Sequence, residues 1–134
     1  MASVYTEAHR NACAAAIAAL GNQIGLYYGS TRVGTVFADT TWGAAAKITE
    51  PVDATKPFHA TDNPNVDKAR VNGSAVTLTI PPGTVPNNTT INRYGIHNGS
   101  TLLRTMDLPV SLIVNDGGQQ VQVDVTPVFK YRGE

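Results

Sequence analysis

The spacing of the apolar residues changes once along the chain, at Gly21, and this change limits the fold more than any other feature. Before Gly21 the apolar residues include Cys13, Ile17 and Leu20, which lie at i, i+4 and i+7. That spacing places them on one face of a helix. After Gly21 apolar residues alternate with polar or small ones, which is the period of a β-strand. The sequence therefore predicts one helix at the start, followed by a domain built of strands.

The predicted helix has a clear beginning and end. Thr6 suits the N-cap, because its side-chain oxygen can accept a hydrogen bond from the first turn, and Gly21 suits the position just after the last turn. The segment between them is rich in alanine, the strongest helix former, and no polar residue interrupts it from Ala12 onward. A helix that is apolar on every face is usually covered on several sides.

Two interpretations of this apolar helix follow. Either the helix forms a contact between subunits, or it lies across one end of the β domain with its outer alanines exposed. The residues expected at a subunit contact are Ala12, Ala16, Ile17 and Ala19.

Short alternating runs separated by glycine, proline and asparagine predict half-buried antiparallel strands. The most definite hairpin is expected at Asn98-Gly99, a pair that favours a two-residue type I′ turn, between strands at 92–97 and 101–106. A second turn is expected at 115–118. Because Pro127 breaks the last run, the final strand should be separate or at an edge. The other predicted strands are at 24–28, 76–80, 110–114, 119–125 and 128–131.

These elements predict a mostly β fold, an antiparallel β-sandwich of the jelly-roll or immunoglobulin-like kind with an N-terminal α-helix. The helix occupies residues 1–22 and the sandwich residues 23–134. Residues 50–67 contain three prolines and little periodicity, so we expect a long loop there. A loop of this length in a compact domain is usually functional or disordered.

The charge of the chain is low and balanced. Its 134 residues include 10 basic and 10 acidic ones, and charged residues make up 15%, against roughly 25% in typical soluble domains. A neutral surface does little to oppose association, so we expect much of it to be covered by other subunits. The basic residues do not cluster as in nucleic-acid binders, and no apolar run is long enough to span a membrane.

The N-terminus does not match a secretion signal, because Glu7 lies where basic residues would be needed and the apolar run is short. We therefore expect a protein that is made and folded in the cytoplasm, without export. Cys13 is the only cysteine and lies among alanines, and the three histidines are too far apart for a local metal-binding motif. No motif of a catalytic nucleophile or of a phosphate-binding loop occurs. We expect no enzymatic activity, no cofactor and no metal.

The aromatic residues leave a different class of function open. Tyr27, Trp42 and Tyr94 could form a platform that binds a cell-surface glycan. The alternative is that they belong to the core or to an interface, which is where a single tryptophan is found more often.

Five segments, taken in order, carry a resemblance. They are GLYYG at 25–29, TWGAA at 41–45, VTLTIPPGT at 76–84, YGIHNGS at 94–100 and VNDGG at 114–118. Together with the alanine-rich helix, they resemble a family of small virion proteins of siphophages, described as minor tail or tail-fibre-like proteins. The loop at 50–67 departs from that family's pattern.

The resemblance implies assembly without catalysis, usually as a symmetric oligomer. We therefore expect a structural subunit of a bacteriophage virion, first of all a minor tail protein, which could form a trimer about the tail axis. Its partners would be copies of itself and other virion proteins. A decoration protein that stabilises the capsid is the alternative within this class, and a carbohydrate-binding module for host attachment is the alternative outside it.

Overall fold

A computed structural model describes residues 5–132, and in these residues the chain forms one helix and ten strands. They divide into two compact units. The first, called the helical unit, holds residues 5–19, 42–72 and 128–132, and the second, called the β unit, holds residues 20–41 and 73–127. The elements are α1 (Glu7–Ala18), β1 (Gln23–Tyr28), β2 (Thr31–Arg32), β3 (Ala38–Asp39), β4 (Ala46–Pro51), β5 (Asn65–Asn72), β6 (Val76–Ile80), β7 (Thr89–Asn98), β8 (Thr101–Val114), β9 (Val121–Val125) and β10 (Val128–Tyr131).

The helix begins where the sequence predicts. Thr6 is the N-cap, and its hydroxyl accepts a hydrogen bond of 3.2 Å from the backbone N–H of His9. The helix ends at Ala18, with Ala19 as the C-cap. The helix itself is therefore confirmed, but it ends three positions before Gly21, so that Leu20 and not Gly21 follows the C-cap.

The buried stripe of α1 differs from the predicted one by one position. Ala14 and Ala18 are buried, whereas Cys13 and Ile17 are half-buried and Leu20 is exposed. The helix lies on a three-stranded antiparallel sheet of order β10-β5-β4. Small side chains face this sheet, which allows the helix and sheet backbones to come close together. The cluster that they form contains Ala14, Ala18, Ala69 and Val71, with Trp42, Ala45, Phe129 and Tyr131 packed against it.

The β unit contains two antiparallel sheets. Strands β2, β1, β7 and β8 follow one another in the larger sheet, and β3 also pairs with β1. The smaller sheet is the pair β6-β9, and β3 contacts β6. Alternate residues of β6 and β9 are buried, as in a sheet with one covered face. The predicted class, a mostly β antiparallel fold with an N-terminal helix, is confirmed, and the β unit has a sandwich-like arrangement.

Strand β1 is buried more completely than its alternating sequence predicts. Residues 24–27 are all buried, because β1 has strands on both sides, β7 on one and β2 and β3 on the other, and because the rings of Tyr27 and His97 cover the face that carries Gly25 and Gly95. The strand predicted at 24–28 is therefore confirmed, but it is buried on both faces rather than half-buried.

The predicted hairpin around Asn98-Gly99 is confirmed, but its turn is different. Asn98 pairs with Thr101, so the two-residue loop is Gly99-Ser100. A type I′ turn needs positive φ at both central residues, and Gly99, at φ 61°, is the one of the two that has it. Glycine at the first central position, followed by a residue of negative φ, is the pattern of type II′.

Strand β8 joins two segments that the sequence analysis separates. It runs through Pro109 without a break and extends to Val114. Opposite it, Ile91 pairs with Leu112 and Arg93 with Asp107, so residues 108–111 form an irregular bulge. The predicted turn at 115–118 follows, but β9 then pairs with β6 rather than with β8. The strands predicted on either side of this turn, at 110–114 and 119–125, are therefore not paired with each other.

The remaining predictions concern the long loop and the boundaries. Strand β4 ends at Pro51 and β5 begins at Asn65, so the loop covers 52–64 rather than 50–67. Strand β10 is an edge strand, as expected. The two units do not follow a boundary after residue 22, because α1 lies in one unit with β4, β5 and β10.

Candidate functional site

The outer face of α1 is open in the described structure. Ala12, Ala16 and Ala19, three of the four residues expected at a subunit contact, are exposed, and Ile17 is half-buried. Helix geometry places the exposed alanines on one side, opposite Ala14 and Ala18. We call this side the alanine face, and its members are Ala8, Ala12, Ala15, Ala16 and Ala19. Burial on its own sheet thus uses one stripe of the helix and leaves the other accessible.

A second accessible surface lies along β8, the last strand of the larger sheet. One side of β8 pairs with β7, and the other has no strand partner within residues 5–132. Four large apolar side chains of this strand are 38% to 79% exposed. We call this surface the β8 edge, and its apolar members are Leu102, Leu103, Val110 and Ile113.

The β8 edge has some of the features that limit edge-to-edge pairing. Pro109 removes one N–H donor, the bulge at 108–111 distorts the strand, and Asp107 adds a charge, which forms an ion pair of 3.2 Å with Arg93. These features lie in the middle of the strand, and Val110 lies within the bulge, whereas Leu102, Leu103 and Ile113 lie toward the two ends of the strand. Sequence reasoning missed this surface because it predicts two separate strands, at 101–106 and 110–114, where the structure has one.

The aromatic residues proposed for glycan binding do not form a platform. Tyr27 and Tyr94 are only 6% and 4% exposed, so their rings are not available to a sugar. Trp42 is half-buried and packs in the core of the helical unit. The hydroxyl of Tyr94 contacts the sulfur of Met106 at 3.4 Å. The structure therefore assigns these residues to the interior and contradicts the predicted platform.

Tyr27 forms a buried polar pair with His97. The tyrosine oxygen lies 2.8 Å from Nε2 of His97, and Nδ1 lies 3.2 Å from the carbonyl oxygen of Gln23. Because a carbonyl oxygen can only accept, Nδ1 carries the proton and Nε2 accepts from the tyrosine. Burial lowers the pKa of His97, and the nearby Arg32 charge acts in the same direction, against the hydrogen bond to Gln23.

Glycine makes the space for this pair. A Cβ atom at Gly25 would lie 2.9 Å from Cε1 of His97, and one at Gly95 would lie 2.5 Å from a ring carbon of Tyr27. Real Cβ atoms do not approach so closely, so the two glycines allow two large rings to occupy the middle of the sheet. The pair uses all its polar atoms internally and therefore has the features of a structural element.

Lys68 fixes the start of the 52–64 loop. It is buried, and its ammonium donates to Glu50 Oε1 at 2.9 Å and to the carbonyl oxygens of Pro51 and Val52, both at 3.1 Å. Burial by itself would raise the pKa of Glu50, but hydrogen bonds and charge from Lys130 and Lys68 outweigh it, so that the pKa is lowered.

Asn63 holds the rest of the loop together. Its side-chain oxygen accepts from the backbone N–H of Asp53 at 2.8 Å. Its side-chain nitrogen lies 2.9–3.3 Å from three carbonyl oxygens of the loop, at positions 53, 56 and 57. The buried amide of Asn63 thus forms hydrogen bonds with backbone N–H and carbonyl groups on both sides of the loop. These bonds give the loop a defined shape.

The loop borders a cavity of about 570 Å³ that is open to the surface. Its lining combines apolar side chains, Val52 and Phe58, with charged ones, Asp53, Lys56 and Asp62. Sequence reasoning marked this segment as unusual, on its prolines and acidic residues, but identified none of its residues as a site.

Within residues 5–132 no three or more His, Cys, Asp or Glu side chains are grouped so as to hold a metal ion. In the same part of the chain no helix has the length and apolar character needed to cross a membrane.

Comparison with models of known protein families, with curated proteins and with solved structures finds no match.

Proposed function

We propose that this protein is a non-enzymatic structural subunit that assembles with copies of itself in a bacteriophage virion, as a minor tail protein. The observation that carries the proposal is the β8 edge. A strand of 14 residues at the border of a sheet, with exposed leucine, valine and isoleucine, favours pairing with another chain.

A second copy of the chain is the partner that fits best. Equal numbers of acidic and basic residues leave no net charge to keep copies apart. The free backbone groups of one β8 edge are complementary to those of another. Because stable interfaces bury roughly 1,200–2,000 Å², strand pairing needs side-chain contacts beside it, and the exposed apolar residues of β8 supply them.

The alanine face of α1 supports the proposal independently. It offers a smooth apolar surface, against which another helix or sheet can pack closely. Covering apolar surface contributes about 25 cal/mol per Å², before the cost of association is subtracted. The alanine face thus remains the contact expected from the sequence, and the β8 edge is a second one.

The assignment to a virion, with a tail position and trimeric symmetry, rests on the resemblance of the five short segments to siphophage proteins. A capsid decoration protein is the alternative, because it too would need exposed apolar surfaces that other chains can cover. Immunogold labelling of purified particles separates the two, because labelling along the tail supports the proposal and labelling over the head shell supports decoration.

Sedimentation velocity over a range of concentrations tests the assembly. We expect a species whose mass is a multiple of the 14.2 kDa chain. Val110→Lys should raise the dissociation constant about tenfold or more, because a lysine enclosed at an apolar contact costs more than ~1.4 kcal/mol. Val110 is the most exposed of the four apolar residues, so the variant should fold normally.

Gln122→Lys is the matched control, since it adds the same charge at an exposed position of β9. A chain that stays monomeric at all concentrations would contradict the proposed assembly. If Val110→Lys and Gln122→Lys both assemble like the parent, β8 is not the contact.

A further inference from the structure

The cavity of the 52–64 loop has the size of a ligand site, and hydrogen bonds hold its walls. Its volume of about 570 Å³ lies within the roughly 300–1,000 Å³ of known ligand pockets. Its walls are held by Asn63 through four hydrogen bonds to the loop backbone and by Lys68 at the loop's first residue. A preformed site loses little conformational entropy when a ligand binds.

An aromatic ring lies open on this cavity. Phe58 is 58% exposed and lines the cavity together with Val52. The face of an aromatic ring carries partial negative charge, which attracts the C–H groups on the apolar face of a sugar ring. A large aromatic side chain in a loop that makes so many internal hydrogen bonds could have been buried, but it faces outward.

The polar groups around Phe58 include donors and acceptors. Nδ1 of His59 accepts the backbone N–H groups of Thr61 at 3.2 Å and Asp62 at 3.0 Å. Nδ1 therefore carries no proton in the neutral ring, and Nε2 carries it and can donate. The carboxylate of Asp62 lies 3.6 Å from Nδ1 and has a side chain 83% exposed, so its oxygens can accept hydrogen bonds from hydroxyl groups.

The charges of the cavity oppose an anionic ligand. Lys56 lies 3.7 Å from the carboxylate of Asp53, so these two charges offset each other, and the carboxylate of Asp62 leaves a negative charge at the cavity. A phosphate would be repelled by that carboxylate, and a cationic ligand would leave the Nε2 donor of His59 without an acceptor. A polyhydroxyl compound meets no such repulsion, and it can use the donors and the acceptors as well as the open face of Phe58.

We infer that the 52–64 loop binds a neutral saccharide, with Phe58 as the stacking platform and with His59 and Asp62 as hydrogen-bonding groups to its hydroxyls. This site differs from the platform of Tyr27, Trp42 and Tyr94 considered from the sequence, and it lies within one continuous loop. The inference is independent of assembly, because a single chain contains every residue of the site.

NMR titration of the ¹⁵N-labelled full chain tests the inference. The probes are the methyl glycosides of glucose, galactose, mannose and N-acetylglucosamine, together with oligosaccharides of the same sugars, added one at a time. We expect saturable shifts of backbone amides within 52–64 for at least one probe. Phe58→Ala should weaken that binding about fivefold or more, and Asp62→Asn by about threefold or more.

Phe37→Ala is the matched control, because Phe37 is 53% exposed and lies in the other unit. It should bind the saccharide as the parent does. The inference is overturned if no probe gives saturable shifts in the loop, or if Phe58→Ala binds as well as Phe37→Ala. It is also overturned if these amides respond only to inorganic phosphate or to methylguanidinium, which represent anionic and cationic ligands.

Discussion

At the scale of single residues, the buried pair of Tyr27 and His97 shows how a polar group is accommodated inside a sheet. Each ring nitrogen of His97 has one partner of the opposite hydrogen-bonding kind. Removing one partner leaves a buried group unsatisfied, which generally costs more than the hydrogen bond contributes. The pair therefore predicts two measurable effects.

The first effect concerns the tyrosine hydroxyl. Tyr27→Phe should lower the free energy of unfolding by about 1–3 kcal/mol, because Nε2 of His97 loses its donor in the interior. Chemical denaturation measures this change. Tyr28→Phe, the same substitution at the half-buried neighbour in β1, should cost less, and equal losses in the two variants would argue against a special role of the pair.

The second effect is a dependence of stability on pH. Because the pKa of His97 is lowered in the folded protein, the unfolded chain binds a proton at a pH where the folded chain does not. Stability should therefore be fully present above the unfolded value of about 6.5 and decline as the pH falls below it. Denaturation midpoints measured between about pH 7.5 and 5 should show the decline.

Two variants identify the residue responsible. His97→Gln should be less stable than the parent but should lose the decline, while the exposed His59→Gln should retain it. A decline of the same size in His97→Gln would assign it to other groups. Glu50 affects the pH dependence only at lower pH. Because its pKa is lowered in the folded protein, the stability that it contributes is present at neutral pH and is lost as the pH falls below about 4.5.

At the scale of elements, the helix was predictable and its buried stripe was not. Thr6 and the alanine content define α1 locally, since capping and propensity act within a few residues. Which side is buried depends on the surface of the sheet beneath it, and β5 presents Ala69 and Val71 there. The larger residues Ile17 and Leu20, which suggested the stripe, are displaced from the centre of that contact.

The alanine face of α1 leads to a prediction about assembly. Ala16→Glu should weaken self-association about tenfold or more, because a carboxylate would be enclosed at an apolar contact. Since Ala16 is exposed, the free energy of unfolding should change by no more than about 0.5 kcal/mol. Sedimentation velocity and thermal denaturation measure the two quantities.

Ala44→Glu is the matched control for Ala16→Glu, because Ala44 is also exposed but lies outside the helix. It should assemble like the parent. Equal assembly of the two variants would show that the helix makes no subunit contact, and the β8 edge would then be the remaining candidate.

The elements that sequence reasoning described least well are those with irregular pairing. The sequence predicts two strands, at 101–106 and 110–114, but they form the single strand β8. Pro109, which lies between the two predicted strands, is accommodated in the bulge, where β8 does not pair with β7. The sequence predicts a type I′ turn with Asn98 and Gly99 as its two central residues. In the structure Asn98 pairs with Thr101, so the central residues are Gly99 and Ser100. Both outcomes depend on pairing across strands.

At the scale of the whole molecule, the described chain forms two units from interleaved segments. The helical unit receives its edge strand β10 from the end of the chain, and β10 pairs with β5. The β unit is formed by residues 20–41 and 73–127. A boundary after residue 22 separates the helical from the alternating sequence pattern. It does not separate the two units, because each unit contains segments from distant parts of the sequence.

What the sequence determined by itself is local: the helix and its N-cap, the positions of most strands and the mostly β class follow from period, propensity and turn residues. The tertiary structure decided which strands pair, and with them the burial of Tyr27 and Tyr94, the exposure of the β8 edge and the cavity beside Phe58. The physical reason is the range of the interactions. Caps and turns depend on neighbours within a few residues, whereas burial depends on partners such as Tyr27 and His97, which are 70 positions apart.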